Sequence, residues 1–287
     1  MNALKTALWL IGLTMLLLFV GQAIGGQSGF TFALFFAVLM NGGAYFFSDR
    51  IALASSGAQP VTREQAPRLY QIVERLTAKA NLPQMPQLFV IPEQAPNAFA
   101  TGRNPRHASV AVTAGLLEYM NDDEIEGVLA HELSHVRNYD ILTTSVAATL
   151  AGTITYLAQM GRFTMLFGLG GSRDDEDRGA SPLVALLMIF IAPIAALLLQ
   201  LMISRRREFA ADESAARIVG HPEGLISALE KLGAYNKRIP MEATPATAPL
   251  YIVAPFSAGQ LLSGLFSTHP PLEARIAALR SMLPVAH

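Results

Sequence analysis

No cysteine occurs among the 287 residues. A disulfide framework is therefore excluded, and so is any metal site built on thiolates. What remains for a metal is histidine and carboxylate, a ligand set of catalytic rather than structural sites. Charge is also scarce: Asp, Glu, Lys and Arg make up 15% of the chain against 52% hydrophobic residues, and the mean hydropathy is +0.36. That balance is too apolar for an ordinary soluble enzyme. The formal net charge of -1 leaves no basic surplus, so nucleic acid is not an expected partner.

The apolar residues are gathered into runs. Residues 6–24 are uncharged behind a single Lys5 and long enough to cross a bilayer. A cleaved signal peptide is the competing reading, since Ala23-Ile24-Gly25 loosely resembles a cleavage site, but the run is long for a signal. A glycine-rich turn at residues 25–29 leads to a second uncharged run, 30–47, and the two predict a membrane hairpin over residues 1–50. Residues 141–161 are apolar but flecked with Thr and Ser: either a third span continuing directly from the helix before it, or a helix only partly in lipid. A charged, Gly-rich loop (161–181) and a fourth apolar run (182–203) follow, forming a second membrane pair over 141–203. Lys5, Arg50, Arg63, Arg137 and the cluster Arg205-Arg206-Arg207 fall on one side of these spans; Arg162, Arg173 and Arg178 fall on the other. Excess Lys and Arg marks the cytoplasmic side, so the polar stretches 51–140 and 204–287 are expected there, in an inner (plasma) membrane protein of bacterial type.

Those two stretches carry the chemistry. Thr62 and Gln65 predict a helix start, with Leu69, Ile72, Val73 and Leu76 as its apolar stripe. Residues 87–91 read as a short buried strand. Residues 97–102 and 109–113 read as two more, around a turn at Asn104-Pro105. Asn97-Ala98-Phe99-Ala100 is either an ordinary strand or an edge strand that pairs with an extended substrate backbone. Next, Asn121, Asp122 and Asp123 offer caps for a helix whose stripe is Ile125, Val128, Leu129, Leu133 and Val136.

On that helix stands His131-Glu132-Leu133-Ser134-His135. Four residues of separation place the two imidazoles roughly 40° apart on one face, within reach of one tetrahedral ion. Glu132 lies beside such an ion, where a carboxylate can take a proton from an activated water. Two histidines on a plain surface helix have the same spacing, so a third ligand is required. Glu208 and Asp212 stand four apart on a probable helix directly after the arginine cluster. Glu208 is assigned to the ion and Asp212 to orienting a ligand. One Zn2+ is the expected cofactor, and peptide hydrolysis the expected reaction.

With these residues in hand, the chain resembles the HtpX family of membrane zinc metalloproteases, relatives of the CAAX prenyl endoproteases within the gluzincin group. His131 to His135, the following apolar run, Glu208-Phe209-Ala210-Ala211-Asp212 and the Asn97–Ala100 segment carry the resemblance, and it covers nearly the whole chain. It extends to Ser267-Thr268-His269-Pro270-Pro271 and Arg275-Ile276. It implies that His269 stabilises the transition-state oxyanion and that Arg275 pairs with Asp212. It also implies a mostly helical α+β fold, about four transmembrane helices with a zincin-like domain holding a small sheet, and a stress-linked role in membrane-protein quality control. Protein and peptide substrates and the lipid bilayer are the implied partners. Two rivals are a CAAX-type processing enzyme, which generally has more spans, and a non-hydrolytic zinc-binding scaffold, whose signature would be loss of Glu132.

The arginine distribution yields a test. A reporter fused after His287 is expected to read as cytoplasmic and one inserted near Ser172 as external. A cytoplasmic signal at Ser172 would mean that the second pair is an embedded hairpin.

Overall fold

The structure, a computed structural model, describes residues 2–150, 205–239, 241, 247–253 and 270–283. The expected apolar run 182–203, the loop before it, the end of the third run and His269 lie outside these residues.

Helix α1 (Asn2–Ser55) contains both N-terminal apolar runs. Its helical dihedrals fail at Gly25 and at Gly26, which has φ 54°, a conformation glycine adopts without a Cβ penalty. There the chain doubles back, as the turn at 25–29 predicts. Asn41 Nδ2 donates to Thr14 Oγ1 at 2.8 Å across the two arms. A Cβ placed on Gly21 would lie 2.5 Å from Gly29 O, so the arms meet backbone to backbone. Among the described residues one segment, Gly25–Ser55, is long and apolar enough to cross a membrane. Phe19, Phe32, Phe35, Val38 and Leu39 on the two arms are exposed, a surface that lipid would cover.

The polar part begins with β1 (Gln59–Pro60), α2 (Pro67–Lys79) and β2 (Gln87–Ile91). The capping pair expected at Thr62 and Gln65 forms, with Thr62 N donating to Gln65 Oε1 at 2.8 Å. It closes a turn before the helix, however. Pro67 opens the helix itself, since its missing N–H costs nothing in the first turn. Leu69, Ile72, Val73 and Leu76 are buried as the stripe requires. Strands β3 (Ala98–Asn104) and β4 (His107–Thr113) are joined by a turn in which Asn104 Oδ1 accepts from Arg106 N and His107 N. The sheet order is β1-β2-β4-β3, with β2 and β4 parallel and β3 and β4 antiparallel, so β3 is an edge.

After α3 (Ala114–Tyr119), helix α4 (Asp122–Arg137) starts with a reciprocal capping box between Asn121 and Glu124. Its five expected apolar positions are buried, but so are Gly127, Ala130, His131, Glu132 and Ser134. An amphipathic helix packed on a core by one face was expected; the helix is instead central, walled by α2, by β3, and by α6 (Arg205–Val219) and α7 (Glu223–Arg238). Nor does α4 run on into the next apolar segment. It stops at Arg137, Asn138 and Tyr139 turn, with Tyr139 at φ 60°, and α5 (Asp140–Leu150) begins. Val146, Ala147 and Leu150 of α5 pack with Ala44, Leu10, Leu17 and Met40 of the hairpin. Helix α8 (Leu272–Arg280) lies against α7 and α6.

Close approach of α4 to α7 depends on missing side chains on both helices, at Gly127 and Gly224. A Cβ on Gly127 would sit 2.6 Å from Leu225 N and 2.8 Å from Leu225 Cα, both backbone atoms that cannot rotate away. Replacing Gly by Ala in a helix gains up to about 1 kcal/mol of propensity, whereas overpacking costs about 1–3 kcal/mol. Gly127→Ala is therefore expected to lower stability by about 1–2 kcal/mol and Gly127→Val by more, read as a falling unfolding midpoint in detergent; an unchanged midpoint for Gly127→Val would show that α7 moves freely.

Candidate metal centre

His131 and His135 project from α4 toward Glu208, near the start of α6. One donor atom from each lies within 4.8 Å of the others. The two Nε2 atoms are 3.2 Å apart, and Glu208 oxygens stand 3.8 Å from His131 Nε2 and 3.6 Å from His135 Nε2. A tetrahedral ion with bonds of about 2.0–2.1 Å separates two ligand nitrogens by roughly 3.3 Å, so the imidazoles are already spaced for one.

Each imidazole is held from behind. His131 Nδ1 faces Asp212 Oδ1 at 2.8 Å, and Arg275 grips the same carboxylate with two bonds, Nε to Oδ2 at 2.8 Å and Nη2 to Oδ1 at 2.7 Å. His135 Nδ1 faces Asp140 Oδ2 at 3.2 Å, and Arg207 Nη1 stands 3.5 Å from Asp140 Oδ1. With Nδ1 donating to a carboxylate, Nε2 keeps its lone pair for a metal. Glu132 turns toward the sheet, where Ala100 N donates to its Oε2 at 2.8 Å.

These groups are out of water: His131 is 1% exposed, Glu132 2%, Asp212 2%, Asp140 3%, Glu208 4% and Arg275 0%. Burial pushes His131 down to about 4 and so keeps it neutral, the form that binds metal. Burial likewise pushes Glu132 up to about 8. Burial opposes the charged form of His135 as well, yet Asp140, Glu208 and Glu132 outweigh it and raise the group to about 9. Asp212 is held below its ordinary value despite burial, by Arg275 and His131. The carboxylates of Glu132, Asp140, Glu208 and Asp212 face the guanidiniums of Arg207 and Arg275. With both imidazoles neutral and all four carboxylates ionised, as they would be around a bound cation, the formal charge of this set would be minus two, which a divalent cation balances. The donor set and its charge therefore fit a metal ion.

Around these residues is a cavity of about 20 Å³, bounded also by Ala100, Ile141, Thr144, Pro249, Leu250 and Ile252. Strand β3 is the edge expected from Asn97–Ala100, but that edge is partly taken. Ile252 N donates to Ala98 O at 3.0 Å, and Asn97 Nδ2 donates to Val253 O at 2.9 Å. Arg275 Nη1 donates to Ile252 O at 2.9 Å, tying this segment to the His131 side of the site.

The expected residues that the structure describes thus come together, apart from Asn97, Ala98 and Phe99. These three are buried within the fold, Phe99 edge-on to Tyr251 with ring centroids 5.3 Å apart. Asp140 was missed. In the sequence it reads only as a polar residue closing the soluble stretch, and nothing in the pattern announces that the chain turns there.

Comparison with known proteins agrees with the motif reading. Residues 63–283 match peptidase family M48. A protease HtpX homolog of Desulforapulum autotrophicum is 52% identical over 97% of this chain and 89% of that protein. Another from Desulfatibacillum aliphaticivorans is 54% identical over 99% and 90%, and one from Nostoc punctiforme 51% over 97% and 95%. Among solved structures, the crystal structure of S. mikatae Ste24p is similar in fold, with TM-score 0.51, 18% identity and 97% of this chain covered; the chain spans 64% of that protein's length.

Glu208 and Asp212 can be told apart by metal content. Removing a ligand leaves two histidines, too few for tight binding, whereas removing a residue that orients a ligand costs about 10–100-fold in affinity. Glu208→Ala is expected to lose stoichiometric metal, and Asp212→Ala and Arg275→Ala to weaken it. The Asp212/Arg275 double variant should be little worse than either single one, because the pair acts as a unit. Complete loss in Asp212→Ala with retention in Glu208→Ala would exchange the two roles.

Proposed function

This chain belongs to peptidase family M48 and is a membrane metalloprotease; from that premise we propose that its ion is zinc, held by His131, His135 and Glu208, and that it cleaves exposed segments of misfolded membrane proteins on the cytoplasmic side. The observation that carries the reading is the convergence of two imidazoles and a carboxylate, with Glu132 beside them but turned to Ala100. Zinc bound there supplies a Lewis acid that polarises the scissile carbonyl and acidifies water from a pKa of 15.7 toward about 7.

The rest falls to the chain's own residues. Glu132 takes the proton from the attacking water and returns it to the leaving amine. Burial raises the proton affinity of this carboxyl, which favours its taking up the proton of the attacking water. Ala100 N fixes the carboxylate's direction. Asp212 and Arg275 keep His131 in the tautomer that leaves Nε2 free for metal. His269 would meet the oxyanion as the family resemblance implies.

Peptide entry is set by the edge of β3. A cavity of about 20 Å³ holds little more than one water, so an extended peptide reaches Glu132 only when Pro249, Leu250 and Ile252 draw back. Pairing with Ala98 requires it to displace Ile252 N. Cytoplasmic orientation is supported by the arginine distribution, and membrane substrates by the placement of the site between α5, packed on the apolar hairpin, and α6.

Glu132→Gln tests the mechanism. The variant is expected to bind zinc like the parent and to lose nearly all hydrolysis of an unfolded protein substrate. It should also accumulate as more intact chain if the active protease digests itself. Undiminished hydrolysis with zinc bound would sink the base assignment.

A further inference from the structure

We infer that Asp140 is a positioning residue for the metal site, orienting His135 as Asp212 orients His131, and that the break between α4 and α5 exists to bring it there. The inference rests on the reading of His135 as a ligand.

Helical geometry makes the contact informative. In a continuous α-helix, residues five apart point roughly 140° away from each other, so His135 and Asp140 could not meet. They meet because the helix is interrupted. Asn138 N closes α4 on Ser134 O at 3.0 Å, Tyr139 takes φ 60°, and the next residue, Asp140, restarts a helix with its side chain directed back at His135 Nδ1. A left-handed conformation at a bulky, half-exposed aromatic residue is unfavourable in itself and persists only where the surroundings impose it. Here the imposed result is a carboxylate 3% exposed, set against the one imidazole nitrogen that faces away from the ligand cluster.

The two oxygens of Asp140 are divided. Oδ2 faces His135 Nδ1 at 3.2 Å, and Oδ1 faces Arg207 Nη1 at 3.5 Å. Arg207 is the residue before Glu208 on α6. Asp140 therefore stands between the helix that carries both histidines and the helix that carries the third ligand, and links their relative positions through a charged pair. On the other side of the cluster the same construction recurs with Asp212 and Arg275 against His131. Among the described residues, each imidazole thus has a carboxylate behind it, and each of these two carboxylates faces an arginine.

A plainer role would be to cap α5, since Asp140 is that helix's first residue. The two roles separate by side-chain length. Serine caps a helix about as well as aspartate but is too short to reach His135; asparagine caps and also reaches, without the charge. We would purify the full chain in detergent, in a Glu132→Gln background to prevent self-cleavage. Zinc affinity would be measured by competition with a chromophoric chelator, and the visible spectrum recorded with Co2+ in place of zinc. Asp140→Ser is expected to bind zinc about 10–100-fold more weakly, with an altered Co2+ spectrum and a metal-free unfolding midpoint close to the parent's. Asp140→Asn should fall between the two. Parental affinity and spectrum in Asp140→Ser overturn the inference, as does a loss in Asp140→Asn equal to that in Asp140→Ser, which would leave no role for orientation. His135→Ala is the control for the underlying reading: if it binds zinc as tightly as the parent, His135 is no ligand and both readings fall. If it loses zinc while Asp140→Ser does not, only the inference fails.

Discussion

Everything in the polar part of this molecule is arranged around charge that has been taken out of water. Buried carboxylates are costly unless each is paired, hydrogen-bonded or facing a metal. Asp212 is paired by the doubly bonded Arg275, and Asp140 faces Arg207. Glu132 and Glu208 are left beside the two imidazoles: burial raises Glu132, and the surrounding carboxylates raise His135 despite its burial. The same carboxylate-rich surroundings would favour a divalent cation held by His131, His135 and Glu208, and in so dry a site its polarising effect would be magnified.

Holding such a constellation requires a rigid frame, and the frame is built from close backbone approaches rather than bulky packing. Gly127 lets α7 lie directly against α4. Gly115 does the same for α3, whose backbone there runs against Gln94. On its far side α4 is pinned by Ala100 N to Glu132. A helix enclosed on all sides has little freedom to tilt, so the residues it carries stay aimed.

The membrane elements enter the site through its supports. Helix α5 packs on the N-terminal hairpin and begins with the carboxylate that backs His135, while Thr144 and Ile141 of the same helix wall the cavity. The hairpin also reaches the sheet, where Ala52 packs in one cluster with Phe99, Ala111 and Tyr251. The chemistry is therefore seated where the polar domain meets the apolar helices.

Much of this was legible in one dimension because it is local. The i, i+4 spacing of His131 and His135, the stripe of α2, the cap at Asn121 and the strands on either side of Asn104 follow from periodicities of 3.6 and 2 and from turn chemistry. Glu208 and Asp212 were found because they too are four apart on one helix, and Arg275 because its motif resembles a family's. What stayed hidden depends on contacts between distant segments. An apolar stripe shows one buried face, and only the arrival of α6 and α7 buries the other face of α4. An edge strand looks open until residues 252 and 253 are laid beside it. Asp140 gains a role only when a left-handed Tyr139 turns it toward His135, since sequence distance alone puts it on the wrong side of the helix. The sequence by itself determined which imidazoles and carboxylates were candidates to converge; the tertiary structure decided which carboxylate stands behind which imidazole, because that choice is made by the direction in which the chain leaves each helix.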